Sequence, residues 1–187
     1  MSPGKNIDMR DWNVVVSIYQ TGFRRAIRAL EELGKVERSP YHNVLVVKVE
    51  DTISFLQTME RKTAESPALY DTISRVAPAA CNFEFHSGEE FKEKASSVLR
   101  EWSQRLAGRS FHVRLHRRGD RHGLHTPDAE KFLDDVVLAA ASEIGVPGRI
   151  SFTDPDVVIA IDTVDDQAGV ALWSREDLAR HRLLRPD

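Results

Sequence analysis

The sharpest pattern in the chain is the alternation of apolar and polar positions over Ser110-Phe-His-Val-Arg-Leu-His-Arg-Arg118. A strand sends successive side chains to opposite faces, so this period of two directs Phe111, Val113 and Leu115 into a core and His112, Arg114, His116 and Arg118 to the other side. Upstream, Asn13–Tyr19 is rich in β-branched residues and predicts a strand. A helix with Phe23, Ile27, Leu30 and Leu33 on one face follows, with Thr21 as its expected cap and Gly34 as its stop. Lys35–Arg38 and Val44–Val49 predict a hairpin around Ser39-Pro40, and Asp51 caps a second helix through Ile53, Leu56 and Met59. After Ser66-Pro67 the stretch from Ile73 to Phe85 is extended. Residues 12–86 therefore read βαββαβ, the order of a two-layer ferredoxin-like unit.

A second unit, 87–187, opens on the capping box Ser87-Gly-Glu-Glu90. Phe91, Ala95, Val98, Leu99, Trp102 and Leu106 keep helical spacing up to Gly108. The basic strand comes next, then a helix over 127–144 with Phe132, Leu133, Val136, Val137 and Ala140 inward. Strands at Ile150–Phe152, Val157–Ile161 and Val170–Trp173 and a short helix capped by Ser174 complete an α+β chain of two abutting units.

Charge changes the picture. The 187 residues carry a net charge of −3, yet Arg109–His125 holds five arginines against one aspartate, with four histidines besides. A positive segment inside an acidic chain points to a polyanion met on one surface, and excludes binding driven by overall charge. Cys81 is the only cysteine, so an internal disulfide and a Cys-x-x-Cys zinc knuckle are ruled out. The longest apolar run, Val136–Ala141, is far too short for a membrane span, and the N-terminus lacks the apolar core of a signal peptide. A cytoplasmic protein with no membrane partner is expected.

The strand Phe111–Arg118, the helix after Thr126 and the step Asp154-Pro-Asp156 into Val157–Ile161 resemble a THUMP domain, and Arg75-Val-Ala-Pro78 resembles the stretch leading into it. The resemblance implies a THUMP-like α/β unit behind a ferredoxin-like one. It further implies that the unit grips the single-stranded acceptor end of transfer RNA while catalysis lies elsewhere. No GxGxxG loop, GxxxxGK[ST] loop or Ser-Gly-Gly motif is found. The resemblance is therefore to the adaptor subclass, non-catalytic and without cofactor, which presents transfer RNA to a modification enzyme such as the transfer-RNA cytidine acetyltransferase.

The candidate RNA-binding residues are Arg114, His116, Arg117, Arg118, Arg121 and His122, because arginine forks bridge phosphate oxygens and stack on unpaired bases. Arg24, Arg28 and Arg182 are candidates for a second RNA contact, with Arg25 beside the first two. A bound metal is not expected, since the histidines lack a ligand motif and Asp154, Asp156, Asp162, Asp165 and Asp166 read as a corner and a hairpin turn. Trp102 and Phe132 are expected in the core. The alternative is an RNA-processing or hydrolytic enzyme using His116 and His122 with Asp120 or Asp162 as acid–base groups beside arginines.

Overall fold

The structure, a computed structural model, describes residues 10–119 and 122–185. Its described residues divide into two units, 10–79 with 181–185, and 80–180.

In the first unit β1 (Val14–Ile18), α1 (Phe23–Glu31), β2 (Lys35–Arg38), β3 (Val44–Lys48), α2 (Thr52–Glu65) and β4 (Ile73–Pro78) follow one another, with a short 3-10 turn at Pro67–Leu69. The sheet order is β2-β3-β1-β4, antiparallel throughout, with Val16 opposite Leu45 on one side and Val76 on the other. Asp51 Oδ1 accepts from the Ser54 amide at 2.8 Å, so α2 starts where the cap demanded. α1 does not. Its N-cap is Gly22 at φ 109°, without a side-chain cap, rather than Thr21. The chain turns sharply under Thr72, which stands 3.0 Å from where a Gly22 Cβ would lie, and only glycine supplies that backbone at low cost. Gly34 is required by contact instead, since a Cβ there would sit 2.3 Å from the Lys48 carbonyl oxygen.

The second unit runs β5 (Cys81–Glu84), α3 (Gly88–Glu101), α4 (Ser103–Leu106), β6 (Ser110–Arg118), α5 (Thr126–Glu143), β7 (Arg149–Ile150), β8 (Val157–Val164), β9 (Gln167–Ser174) and α6 (Arg175–Arg180). Its sheet has the order β5-β9-β8-β6-β7, with β6 parallel to both β7 and β8 and the other pairs antiparallel. Phe91 and Leu99 of α3 and Leu133 and Val137 of α5 join Phe111, Val113, Ile159 and Ile161 of the sheet in one core. β8 is buried along its whole length, which explains its near-continuous apolar run.

The extended stretch from Ile73 to Phe85 proves to be two strands. Ala79 donates its amide to Asn13 of the first unit and Ala80 donates to Val170 of the second, so the chain changes sheets there, ahead of the 86/87 boundary drawn from the sequence. Residues 181–185 return to the first unit, where Arg75 Nε donates to the Arg185 carbonyl at 2.6 Å. Phe132 also departs from expectation, being 41% exposed beneath the Lys92 ammonium rather than in the core. The inward position beside it is taken by Leu133 and, unexpectedly for a charged residue, by Asp134.

Candidate nucleic-acid interface

β6 is the frame of the site. Ser110 anchors its start: its amide and hydroxyl both donate to Asp156 Oδ2, at 2.8 and 2.9 Å, and its Oγ accepts from the Asp156 amide. Asp154 and Asp156 both meet the Arg175 guanidinium, so the Asp-Pro-Asp corner has structural partners. β7 pairs only with Ser110 and Phe111, leaving the rest of that β6 edge to α5. Asp134 Oδ1 accepts from the Val113 amide and Glu130 Oε1 from the Leu115 amide, each at 2.8 Å. Four residues apart on one helix face, these carboxylates match the two-residue repeat of the strand's outward amides and close the edge to a further strand.

Burial raises the Asp134 carboxyl from 3.8 to about 7, the Val113 amide opposing the shift and Glu130 and Asp135 adding to it. A carboxyl raised in the folded state binds its proton more tightly there than in the unfolded chain. Stability therefore falls as pH rises from about 4 to about 7. Thermal unfolding should show a higher Tm at pH 5 than at pH 8, and Asp134→Asn, which keeps an acceptor for Val113, should flatten most of that slope. An unchanged slope in the variant would place the linkage elsewhere.

The alternation predicted for β6 holds: Phe111, Val113 and Leu115 enter the core, while His112, Arg114, His116 and Arg118 share the opposite face. That face is not a uniform row of cations. Arg118 Nη1 lies 2.9 Å from Asp162 Oδ1, with 15% and 5% of the two side chains exposed, so this arginine is turned into the protein to neutralise the one charge of β8. His116 is level with Asp162 across the β6–β8 pair. Arg114, partly exposed, makes no hydrogen bond or ion pair among the described residues. His112 is 3% exposed, and its Nδ1 lies 2.7 Å from the Ser151 carbonyl. Burial holds its pKa below the usual histidine value, Arg114 adding to the effect and the Ser151 carbonyl opposing it, so the ring is neutral.

Arg117 is exposed at the strand end, and His122 packs edge-on against the core ring of Phe85 at 5.2 Å. Both line a small recess with Leu124, Thr163 and Asp165. His122 thus belongs with the core face and His116 with the opposite one. The structure does not bring together the two histidines that the hydrolytic alternative needs, and it commits Asp162 to Arg118. Arg121 and Asp120 lie outside the described residues. Among the described residues, Glu84, His86 and Asp166 bring one ligand atom each within 4.8 Å of one another. An ion pair of His86 with Glu84 at 3.6 Å accounts for part of that approach.

In the first unit Arg24, Arg25 and Arg28 are exposed around an open concavity of about 810 Å³ that also meets Gly22 and Thr72. The uncapped first turn of α1 adds its positive end to the same surface. Arg182 lies over the Tyr70 ring, 4.7 Å from its centroid. Sequence reasoning missed Arg149, exposed on β7, and Phe152, exposed in the loop after it. Phe152 is expected from the sequence at the end of a strand Ile150–Phe152, but β7 stops at Ile150 and leaves it in a loop, and Arg149 belongs to no periodic pattern.

No protein-family model matches the chain, and no curated protein does. Solved structures match its fold. PH1313 from Pyrococcus horikoshii Ot3 is 16% identical with a TM-score of 0.58, over 86% of this chain and 54% of that one. A 4-thiouridine synthetase in complex with RNA and ATP is 14% identical with a TM-score of 0.54, over 86% of this chain and 40% of the synthetase. A possible methylase from Clostridium difficile 630 is 12% identical with a TM-score of 0.55, over 86% of this chain and 40% of that one. The chain thus spans about half or less of each. The α+β, THUMP-like fold is shared with these proteins. The same likenesses correct the expectation of a non-catalytic protein: the fold is shared with a synthetase and a possible methylase. Among the described residues no helix is long and apolar enough to cross a membrane.

Proposed function

We propose that the chain binds transfer RNA at its single-stranded acceptor end, as the RNA-holding part of a modification enzyme. The enzyme class favoured is that of the methylases and the thiouridine synthetase whose fold it shares, in place of the acetyltransferase expected from the sequence. One observation carries the reading. Arg114 stands without an ionic partner among the described residues, on the solvent-reaching part of β6, in a chain of net charge −3. On the same unit Arg109 and Arg149 are exposed at the start of β6 and Arg117 at its other end, on the opposite face of the strand, each a planar donor fork suited to phosphate. His116 stays with this surface, and Arg24, Arg28 and Arg182 supply phosphate contacts on the first unit. Arg118 acts from behind, by cancelling Asp162 beside the RNA.

Titration of labelled transfer RNA tests this, with and without its 3′ single-stranded end, at two salt concentrations. The intact RNA should bind more tightly than the trimmed one. With about four phosphates neutralised along a single strand, affinity should fall about fifty-fold between about 50 and 200 mM salt. Equal binding of the two RNAs, or affinity indifferent to salt, would overturn the reading.

A further inference from the structure

Phe152 is 65% exposed, more than any other large apolar side chain among the described residues. Leaving such a ring in water forgoes the stabilisation that burial would give. Its backbone is tied down on one side. The Ser151 amide donates to the Phe111 carbonyl at 3.0 Å, and the Ser151 carbonyl meets His112 Nδ1 at 2.7 Å. The Phe152 ring leans on the His112 ring with centroids 5.7 Å apart and planes at 38°, so one side of the phenyl is supported and the side chain still reaches solvent.

The second observation is on His112 itself. With Nδ1 committed to a carbonyl as donor, the other ring nitrogen carries a lone pair, and this buried Nε2 has no hydrogen-bond partner among the described residues. A buried acceptor left unsatisfied is costly, and its usual explanation is a ligand or water that completes it. Arg114 projects from the same face two residues on, about 7 Å along the strand. Arg149 lies three residues before Phe152 and is exposed. Ring and acceptor lie together, Arg114 shares their face of β6, and Arg149 stands level with Ser110 at the start of the strand.

We propose that this end of β6 is a subsite for one unpaired nucleotide whose base stacks on Phe152, whose phosphate meets Arg114 and Arg149, and whose exocyclic amino group is accepted by His112 Nε2. The subsite selects bases that carry an exocyclic amine, cytosine and adenine among them, over uracil, which has none to donate. Turning of the exposed Phe152 side chain, a fast motion for a surface residue, accompanies entry of the base. This inference rests on the RNA-binding reading above and adds to it a stacking residue and a base preference.

Binding of short single-stranded cytidine, adenosine and uridine oligonucleotides tests it in the wild type, Phe152→Ala, Phe152→Trp and Arg114→Ala. The wild type should prefer the cytidine and adenosine oligomers. Phe152→Ala should lose about tenfold in affinity for them and Phe152→Trp should restore it, since one base–aromatic stack is worth about that much. Wild-type affinity for uridine equal to that for cytidine, or full binding by Phe152→Ala while Arg114→Ala is weakened, would overturn the subsite and leave the RNA-binding reading standing. Full binding by both alanine variants would overturn the two together.

Discussion

Replacing Asp162 by alanine should lower stability by about 3 kcal/mol, because it removes the carboxylate 2.9 Å from an Arg118 guanidinium of which only 15% of the side chain reaches water. For a chain of this size that is a Tm loss of roughly 6–12 °C, read by thermal unfolding. The pair as a whole is worth far less than its breaking suggests, since desolvating two charges offsets most of their attraction. A double variant, Arg118→Met with Asp162→Leu, should therefore recover most of the loss. Asp162 stands on a strand whose residues are all buried, so the alanine cannot be rescued by water reaching the arginine from that side. A Tm unchanged in Asp162→Ala would mean that the ion pair is solvated and that Arg118 remains available as a surface cation. The same logic assigns Arg118→Ala chiefly a loss of Tm, with RNA affinity lowered only through the Asp162 charge then left uncancelled.

The fate of Arg118 shows where sequence reasoning stops. The period of two over Phe111–Arg118 located the strand and its two faces, because the pleat imposes that period whatever the fold. Which arginine on the outer face stays free depends on the register with β8, and Asp162 is 44 residues away in the chain. Local rules also served at Asp51 and Ser87, whose side chains cap α2 and α3. They failed at Gly22, where Thr21 offered the better capping chemistry but the turn under Thr72 demanded a positive φ. On α5 the period of 3.6 was legible, yet Phe132 and Asp134 occupy the reverse of their usual places. The edge of β6 needs acceptors more than the core needs another ring, and Asp134 and Glu130 supply them. The sequence places β5 with the first sheet, but its partner Gln167–Val170 lies more than eighty residues on, and an extended run carries no mark of the strand it will pair with. Phe152 and Arg149 carried no signal of their own: a lone aromatic in a loop and an arginine on a two-residue strand become a site only beside His112 and Arg114.

Arg114→Glu should weaken transfer-RNA binding more than any other single change at this surface. Loss of one charge-assisted contact to phosphate removes about 2 kcal/mol, roughly thirty-fold in affinity, and the new carboxylate adds repulsion to that loss. The slope of log affinity against log salt should drop by about 0.7 for the single-strand phosphate no longer neutralised. A fluorescence titration at several salt concentrations reads both quantities. Stability reports the same residue independently. The Arg114 guanidinium lowers the pKa of Asp134, so a glutamate in its place pushes that carboxyl above about 7 and extends the fall in stability to higher pH. Arg114→Gln should leave the fold intact and remove the phosphate contact without adding repulsion, placing its affinity between wild type and Arg114→Glu. Equal affinities for all three proteins would show that the RNA does not meet this face of β6, and a salt slope unchanged in Arg114→Glu would show that the lost contact was not to phosphate.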